Sequence, residues 1–333
     1  MQPAAVPPPA AARPESLRER FLDIRTLVSF LIVAIVVAVA VTHAPIDYRS
    51  SLRAITQVNL FLYAAAFAAF YFSFVVRAVR WEILLRNAGE HCRFRPLFPI
   101  ILLAWFANCV LPAKMGDFYR AYLLRQRTPV SGSKGLGTIL SERILDFLVL
   151  MSLLLLSGLI SFHLAVPAKF RPALVAGVVL ALLLIGGLVA LRFVRGLSRL
   201  LPARLQQRAS HFRGGVVDAF QARIPLLIGL SVVVWFAESA RLYLVVQALP
   251  LHVDLNPAQI VFIALVASLL TTIPALPGGL VLVEGGIIAV LVFFGLTTSQ
   301  GFSVAILDRI ISYWSLIAVG LLVFLFGRHP IRR

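Results

Sequence analysis

Nine apolar runs punctuate the chain, at 27–41, 58–76, 97–111, 138–163, 173–191, 224–249, 258–273, 281–296 and 302–326. None alternates apolar and polar residues as a strand of a membrane barrel would. Several reach the ~20 residues that a helix needs to cross a bilayer. The pattern predicts an all-α polytopic membrane protein. Three runs, 97–111, 258–273 and 281–296, are too short for a simple span: at 1.5 Å per residue they reach roughly 24 Å, against a hydrocarbon core of ~30 Å.

The distribution of charge decides what the short runs do. If all nine crossed with the N-terminus inside, 17 Lys and Arg would lie outside and 11 inside, and the stretch 192–223 with its seven arginines would be external. That inverts the usual enrichment of Lys and Arg in cytoplasmic loops. Suppose instead that 97–111 enters from the cytoplasm, breaks at Pro112 and returns through 114–124, while 258–273 and 281–296 form a matching pair entering from outside. The balance becomes 24 cytoplasmic against 4 external, with Arg143, Arg241 and Arg309 within or at the ends of spans. Six full spans, two opposed re-entrant helices and two cytoplasmic termini are expected.

The breaks carry the residue types this scheme requires. The first reads NCVLPAKMGDFYRAYLL over 108–124, with Pro112 and Gly116; the second reads TIPALPGGLVLVEGG over 272–286, with Pro274, Pro277, Gly278 and Gly279. Proline removes a backbone donor and stops a helix, and glycine permits the turn that follows. Backbone that leaves helical geometry at membrane depth is tolerated only inside protein or beside a wet cavity, and opposed broken helices recur in transporters. In both breaks a proline precedes a glycine by four residues, and an acid–arginine pair, Glu142-Arg143 or Asp308-Arg309, opens a span some thirty residues after the proline. An inverted repeat would account for the match; so would chance.

Charged residues inside the apolar runs narrow the chemistry, because each is costly at membrane depth. Asn108, Lys114, Asp117 and Arg120 cluster at the first break, Glu284 follows the second, and Glu142, Arg143, Asp146, Asp308 and Arg309 open two spans. Of these, Asn108, Lys114, Asp117, Arg120, Glu142, Arg143, Asp146, Glu284 and Arg309 are expected around an anion, since half-helix N-termini and free N–H groups favour negative charge. The blander reading makes Lys114 and Arg120 interfacial anchors and Glu284 a partner of its helix dipole. Glu238 and Arg241, three apart on one helix face, read as an intramembrane ion pair. Arg77, Arg80 and Trp81 read as snorkelling arginines and an interfacial aromatic closing the second span.

Composition excludes several classes. The chain is 60% hydrophobic with a net charge of +17. That positive charge fits basic loops facing anionic lipid; no basic stretch interleaves aromatics as a nucleic-acid platform does, so no nucleic acid is expected. Cys92 and Cys109 have no metal or redox spacing, the six histidines are scattered, and there is no phosphate-cradling glycine loop. No cofactor and no metal are expected. The opening MQPAAVPPPAAARP is of a composition that stays disordered. The domain plan is thus a Pro/Ala-rich then basic cytoplasmic tail over 1–25, a membrane domain over 26–327 and a basic tail over 328–333. The run 27–41 also mimics a signal-peptide core with Ala38-Val39-Ala40 at its end; a retained first span is the preferred reading.

Five stretches together resemble one family: RWEILL (80–85), NCVLPAKMGDFYRAYLL (108–124), SERILDF (141–147), PALPGGLVLVEGG (274–286) and LDRIISYW (307–314). The chain resembles the lysylphosphatidylglycerol synthase transmembrane region family, or flippase-like domain family, across nearly its whole length. The resemblance implies a lipid-handling domain of the bacterial inner membrane. In bifunctional members such a domain moves aminoacylated phosphatidylglycerol between leaflets, and single-domain relatives are associated with hopanoid or other lipid transport, or with glycosylation on lipid carriers. The family usually has Glu where this chain has Asp117, and often Arg or Gly near Lys114. Bifunctional members also carry a soluble aminoacyltransferase domain. This chain ends at Arg333, seven residues after its last apolar run, so aminoacyl transfer is not expected of it.

The expectation is therefore a lipid transporter for an anionic headgroup, with membrane lipids as partners and an oligomer left open. Two rivals remain: a transferase acting on a lipid-linked phosphate, in which Glu142 and Asp146 would share a metal, and a non-transporting accessory subunit.

Overall fold

A computed structural model describes residues 46–111, 114–193, 202–251, 253–272 and 277–327. The run 27–41, both terminal tails, Pro112 and Pro274 lie outside these residues, as does the side chain of Pro277. Every regular element among the described residues is helical.

The helices are α1 (Tyr48–Thr56), α2 (Leu60–Asn87), α3 (Phe94–Val110), α4 (Gly116–Arg127), α5 (Gly132–Ser161), α6 (Arg171–Phe193), α7 (Ala203–Asp218), α8 (Ile224–Ala248), α9 (Pro257–Leu270) and α10 (Leu282–Phe293), followed by α11 (Thr298–Phe326), which contains a π-helical segment at Ile310–Ser315. Five of them, α2, α5, α6, α8 and α11, are long and apolar enough to cross a membrane. They correspond to the apolar runs 58–76, 138–163, 173–191, 224–249 and 302–326. Helix α2 runs eleven residues past its apolar stretch, to Asn87, because Arg77, Arg80 and Trp81 are buried rather than interfacial.

Helices α2 and α8 pack along one another in opposite directions: the Asn59 N–H at the start of α2 donates to the Ala248 carbonyl at the end of α8 (2.8 Å). The short helices fall into two hairpins. α3 and α4 pair where Gly116 meets the Ala104 carbonyl and the Asn108 side chain; α9 and α10 pair where Gly286 meets Leu270. The chain alternates ends with each long helix, so the first hairpin opens at the end carrying loops 88–93 and 128–131, and the second at the other end. At 1.5 Å per residue, α9 and α10, with 14 and 12 residues, reach about 21 and 18 Å.

Local sequence explains where several helices begin. Asn59 accepts from the Phe61 and Leu62 N–H groups. Asn256 with Gln259, and Thr297 with Gln300, form reciprocal capping boxes that open α9 and α11, satisfying N–H groups that a helix start leaves free. The Arg-rich stretch 192–223 contains a structured element: α7 packs on α5, where Gly137 and Gly215 allow close backbone approach, and the Ser141 hydroxyl donates to the Val216 carbonyl (3.0 Å).

Candidate functional site

The tips of the two hairpins meet. Gly278 has φ 58°, and a Cβ there would run into the Tyr313 ring and come within 3.6 Å of Cys109 Cα. Tyr313 donates its hydroxyl to the Cys109 carbonyl at the end of α3 (3.0 Å). The Asn108 side-chain oxygen accepts from the Gly116 N–H (2.8 Å), closing the first break. Non-helical backbone at depth thus has protein partners, as a membrane interior demands.

Around this junction runs a buried chain of ion pairs. Arg120 on α4 donates to Glu142 on α5 (2.7 Å) and stacks over the Trp81 ring (3.8 Å). Glu142 also accepts from Arg80 of α2 (3.2 Å), which is fully buried and donates as well to Asp146 and to the Ser231 hydroxyl of α8. Arg77, one turn earlier, lies 3.7 Å from Asp146 and donates to Glu238 (3.3 Å). Glu238 pairs with Arg241 (3.3 Å), and Arg241 with Asp308 of α11. A buried charge that loses its partner costs several kcal/mol, so the alternation of sign holds five helices, α2, α4, α5, α8 and α11, to one register.

The same arrangement occurs twice. In the first half, Arg80 of α2 pairs with Glu142 of α5, and the next residue, Arg143, makes a two-pronged bond to Asp117 on the returning limb α4 (2.7 and 3.0 Å). In the second half, Arg241 of α8 pairs with Asp308 of α11, and the next residue, Arg309, pairs with Glu284 on the returning limb α10 (2.7 Å). Since α2 and α8 run oppositely, the two sets of pairs are related as in an inverted repeat, one of the two explanations that the spacing of the breaks allowed. Arg309 also donates to the Gly278 carbonyl (2.9 Å), clamping the second break.

A cavity of about 350 Å3 lies beside this network. Arg77, Lys114, Arg143, Arg241 and Arg309 line it, together with Asp146, Glu238 and Asp308. Its apolar side comes from Leu140, Ile144, Phe147 and Leu150 of α5 and Leu184 of α6. Leu140 is itself exposed (37%), so the cavity has an apolar rim there. All three lining carboxylates are engaged by arginines. Lys114, by contrast, has no ion-pair partner among the described residues; it holds φ 52°, in the left-handed region that lysine rarely adopts. The amide NH2 of Asn108, also at the cavity, has no hydrogen-bond partner among these residues; Trp235 lines the cavity too, but its indole N–H is buried and unpaired among them. Lys114 and Asn108 thus place unengaged donors at this cavity.

Of the residues expected around an anion, Asn108, Lys114, Arg143, Asp146 and Arg309 line the cavity, as does Gly278. Asp117 and Glu284 stand behind Arg143 and Arg309 and orient them; Arg120 and Glu142 are buried away from the cavity. Gly116 packs inside its hairpin, and Gly279 has φ 69° in the second break. The expected Glu238–Arg241 pair forms and lines the cavity. Arg77 and Arg80 correct the sequence reading: at 2% and 0% exposure they are core residues, not snorkelling anchors, and Trp81 is fully buried with its N–H on Thr138. Their signal was present as a polar stripe, Ser73, Arg77 and Arg80, at one-helix-face spacing. The cavity aromatics Trp105, Trp235 and Tyr313 were also missed. The π-helical segment after Arg309 carries Ser312 and Tyr313 into the lining, a backbone device frequent at functional sites and without a sequence signature.

The profile of the lysylphosphatidylglycerol synthase TM region matches residues 26–320. The chain belongs to that family. It is similar to a UPF0104 membrane protein of Methanocaldococcus jannaschii, 36% identical over 219 residues, covering 66% of this chain and 93% of that one. A UPF0104 membrane protein of Methanothermobacter thermautotrophicus is 24% identical over 338 residues, covering 91% of this chain and 93% of the relative. The glycosyltransferase AglD of Haloferax volcanii is 25% identical over 337 residues, which span 88% of this chain but 53% of AglD. Family and apolar helices together make this a multi-pass membrane protein.

Proposed function

We propose that this protein moves an anionic or modified lipid, of phospholipid, hopanoid or polyprenyl-phosphate type, between the leaflets of the plasma membrane. One observation carries the reading: a cavity at the junction of two opposed hairpins with unengaged donors, Lys114 and the Asn108 NH2, while its lining carboxylates are paired with arginines. An acceptor-rich, negatively charged group matches them. The apolar rim at Leu140 gives an acyl or prenyl tail a route to remain in the bilayer while the headgroup is bound. The inverted repeat supplies two related halves between which a central site can alternate its access.

The same reading puts both termini in the cytoplasm, on the Lys and Arg distribution, and the protein in a bacterial inner membrane, on the family resemblance; the curated relatives named above are archaeal. A second reading, an accessory to a lipid-modifying enzyme, draws on the relative named as a glycosyltransferase, about half of which this chain matches (53%). A metal-sharing role for Glu142 and Asp146 finds no support, because Arg80 lies between the two carboxylates and bonds to both.

The test is mass spectrometry of lipids that co-purify with the wild type and with Lys114→Gln, alongside transbilayer movement of headgroup-labelled lipid in vesicles containing each protein. Enrichment of one anionic lipid class and accelerated movement, both reduced in the variant, are expected. Bulk-like lipid in both proteins with no acceleration would bring the accessory reading forward.

A further inference from the structure

We propose that the two halves move unequally: the α3–α4 half is a fixed frame, and the second hairpin, with the part of α11 before its π-helical segment, is the moving element, latched by Arg309. The inference goes beyond the reading above, because it concerns which half moves and holds for whatever the cavity binds. The inverted relation sets the ties of each half side by side. Arg80 answers to Arg241, Glu142 to Asp308, Arg143 to Arg309 and Asp117 to Glu284. In the same register, the Arg80–Ser231 bond is mirrored by Arg241 lying over the Phe70 ring (5.5 Å). Where the halves differ, the second is the looser. Helix α10 has Ile287 where α4 has Arg120, and α11 has Ser312 where α5 has Asp146. Among the described residues, five ion pairs join α2, α4 and α5, and two join α8, α10 and α11. Asp117 accepts from Arg143 with both oxygens. Glu284 accepts from Arg309 with one, and its Oε2 is buried without a partner among these residues.

The backbone marks the pivot. Helix α5 is unbroken α-helix from Gly132 to Ser161, but the equivalent turn of α11, Ile310–Ser315, is π-helical, a fault at which helices bend. It divides α11 between two bodies. Before it, Thr298–Arg309 packs on α10, where Gly301 faces Ile288; after it, Leu316–Phe326 packs on α3, where Gly320 faces Phe106. The ties of the first part to α2 and α8 sit beside the π segment, at the pivot: Tyr63 donates to the Leu307 carbonyl (3.0 Å) and Arg241 to Asp308. The second break is also the more contorted. Gly278, Gly279 and Val281 have positive φ, against Lys114 in the described part of the first, and a β-branched residue in that region is strained. Strain of this kind clusters in switch regions. Arg309 joins the parts, its Nε donating to Glu284 of α10 (2.7 Å) and its second nitrogen to the Gly278 carbonyl (2.9 Å). Release of that one guanidinium would free the hairpin from α11, whereas α4 keeps its Arg120–Glu142 pair when Asp117–Arg143 opens.

The experiment is hydrogen–deuterium exchange of the full-length protein in nanodiscs, read by mass spectrometry and corrected for intrinsic rates. It compares equivalent stretches: 284–291 with 117–124, and 312–316 with 146–150. Protection in 284–291 and 312–316 is expected to lie about tenfold below that of their counterparts. Glu284→Gln should lower protection in 284–291 about fivefold further and leave 117–124 unchanged. Asp117→Asn should lower protection in 117–124 by less than about twofold, because Arg120 still holds that limb. If Glu284→Gln fails to yield a monodisperse protein, the wild-type comparison and Asp117→Asn still decide the matter. Equal protection of the two limbs, or lower protection in 117–124, overturns the inference. So do isotope envelopes of both limbs that open together in one step, which would mean a concerted motion. Unchanged protection of 284–291 in Glu284→Gln removes Arg309 as the latch. Exchange reads motion without a lipid assay: an absence of lipid movement in vesicles would strike the reading above and leave this one standing, and symmetric exchange would do the reverse.

Discussion

Arg80 shows how much depends on where an arginine sits along a helix. It is fully buried and bonds to Glu142, Asp146 and Ser231 with separate N–H groups. Arg86, six residues later on α2, pairs with Glu82 at 3.0 Å with its side chain about half exposed (49%). Both are ion pairs, but they differ in energy. Removing one partner of a buried pair strands its counter-charge and costs about 3–5 kcal/mol, whereas an exposed pair one turn apart is worth less than ~1 kcal/mol. Arg80→Ala should therefore lower stability by about 3–5 kcal/mol and Arg86→Ala by under about 1 kcal/mol, read by denaturation in mixed micelles. Arg80→Lys should not restore the loss, because an ammonium cannot reproduce the planar fork that spans two carboxylates and a hydroxyl. Equal, small effects of Arg80→Ala and Arg86→Ala would remove Arg80 from the centre of the network.

At the scale of elements, the hairpins rest on glycines that do different work. A Cβ on Gly116 would run into the Ala104 carbonyl and the Asn108 side chain, so α4 must move away from α3 to accept it. Gly285 on α10 has open space around the same position. Gly116→Ala is expected to cost about 1–3 kcal/mol by overpacking, with loss of the Gly116–Asn108 hydrogen bond that closes the break. Gly285→Ala should be neutral or stabilising by up to about 1 kcal/mol, since alanine favours helix over glycine. A thermal melt of both variants separates the cases; a matching loss in Gly285→Ala would mean that helix α10, not the hairpin contact, is the sensitive element. These breaks were legible in the sequence because proline and glycine act on their own backbone and the short apolar runs measure their own length. The rotation of α2 was not. Which face of a helix is buried depends on neighbours distant in sequence, here Glu238 some 161 residues away from Arg77, so a charged span end reads equally well as an anchor or as a core.

For the whole molecule, Lys and Arg are distributed unevenly among the loops, and the connectivity of the helices groups those loops into two ends. Loops 88–93 and 128–131 and helix α7 share one end of the fold, while loops 162–170, 249–256 and 294–297 share the other. The site residues pair across these ends in a way that no single stretch of sequence records: Asp117 with Arg143, Glu284 with Arg309, and the two pairs related by the inverted order of α2 and α8. Connectivity alone does not orient the fold in a bilayer; the basic loops do. Among the described residues outside the buried network, Arg86, Arg93, Arg95, Arg125, Arg127, Lys134 and five arginines of 192–223 lie on the side of Ser131 and Ser210, against Arg49, Arg53, Lys169 and Arg171 on the side of Thr298; the positive-inside bias then predicts that α7 and the mouth of the α3–α4 hairpin face the cytoplasm. Single cysteines introduced at Ser131, Ser210 and Thr298 report this directly, because the native Cys92 and Cys109 are buried and contribute little background. In intact cells, an impermeant maleimide should label the Thr298→Cys protein and leave Ser131→Cys and Ser210→Cys unlabelled until the membrane is opened. External labelling at Ser131 with protection at Thr298 would invert the molecule, and the first hairpin would then open outward. Labelling of Ser131 and Thr298 from the same side would mean that the chain does not change sides between α5 and α11, which contradicts the alternation of long helices on which the inverted repeat depends.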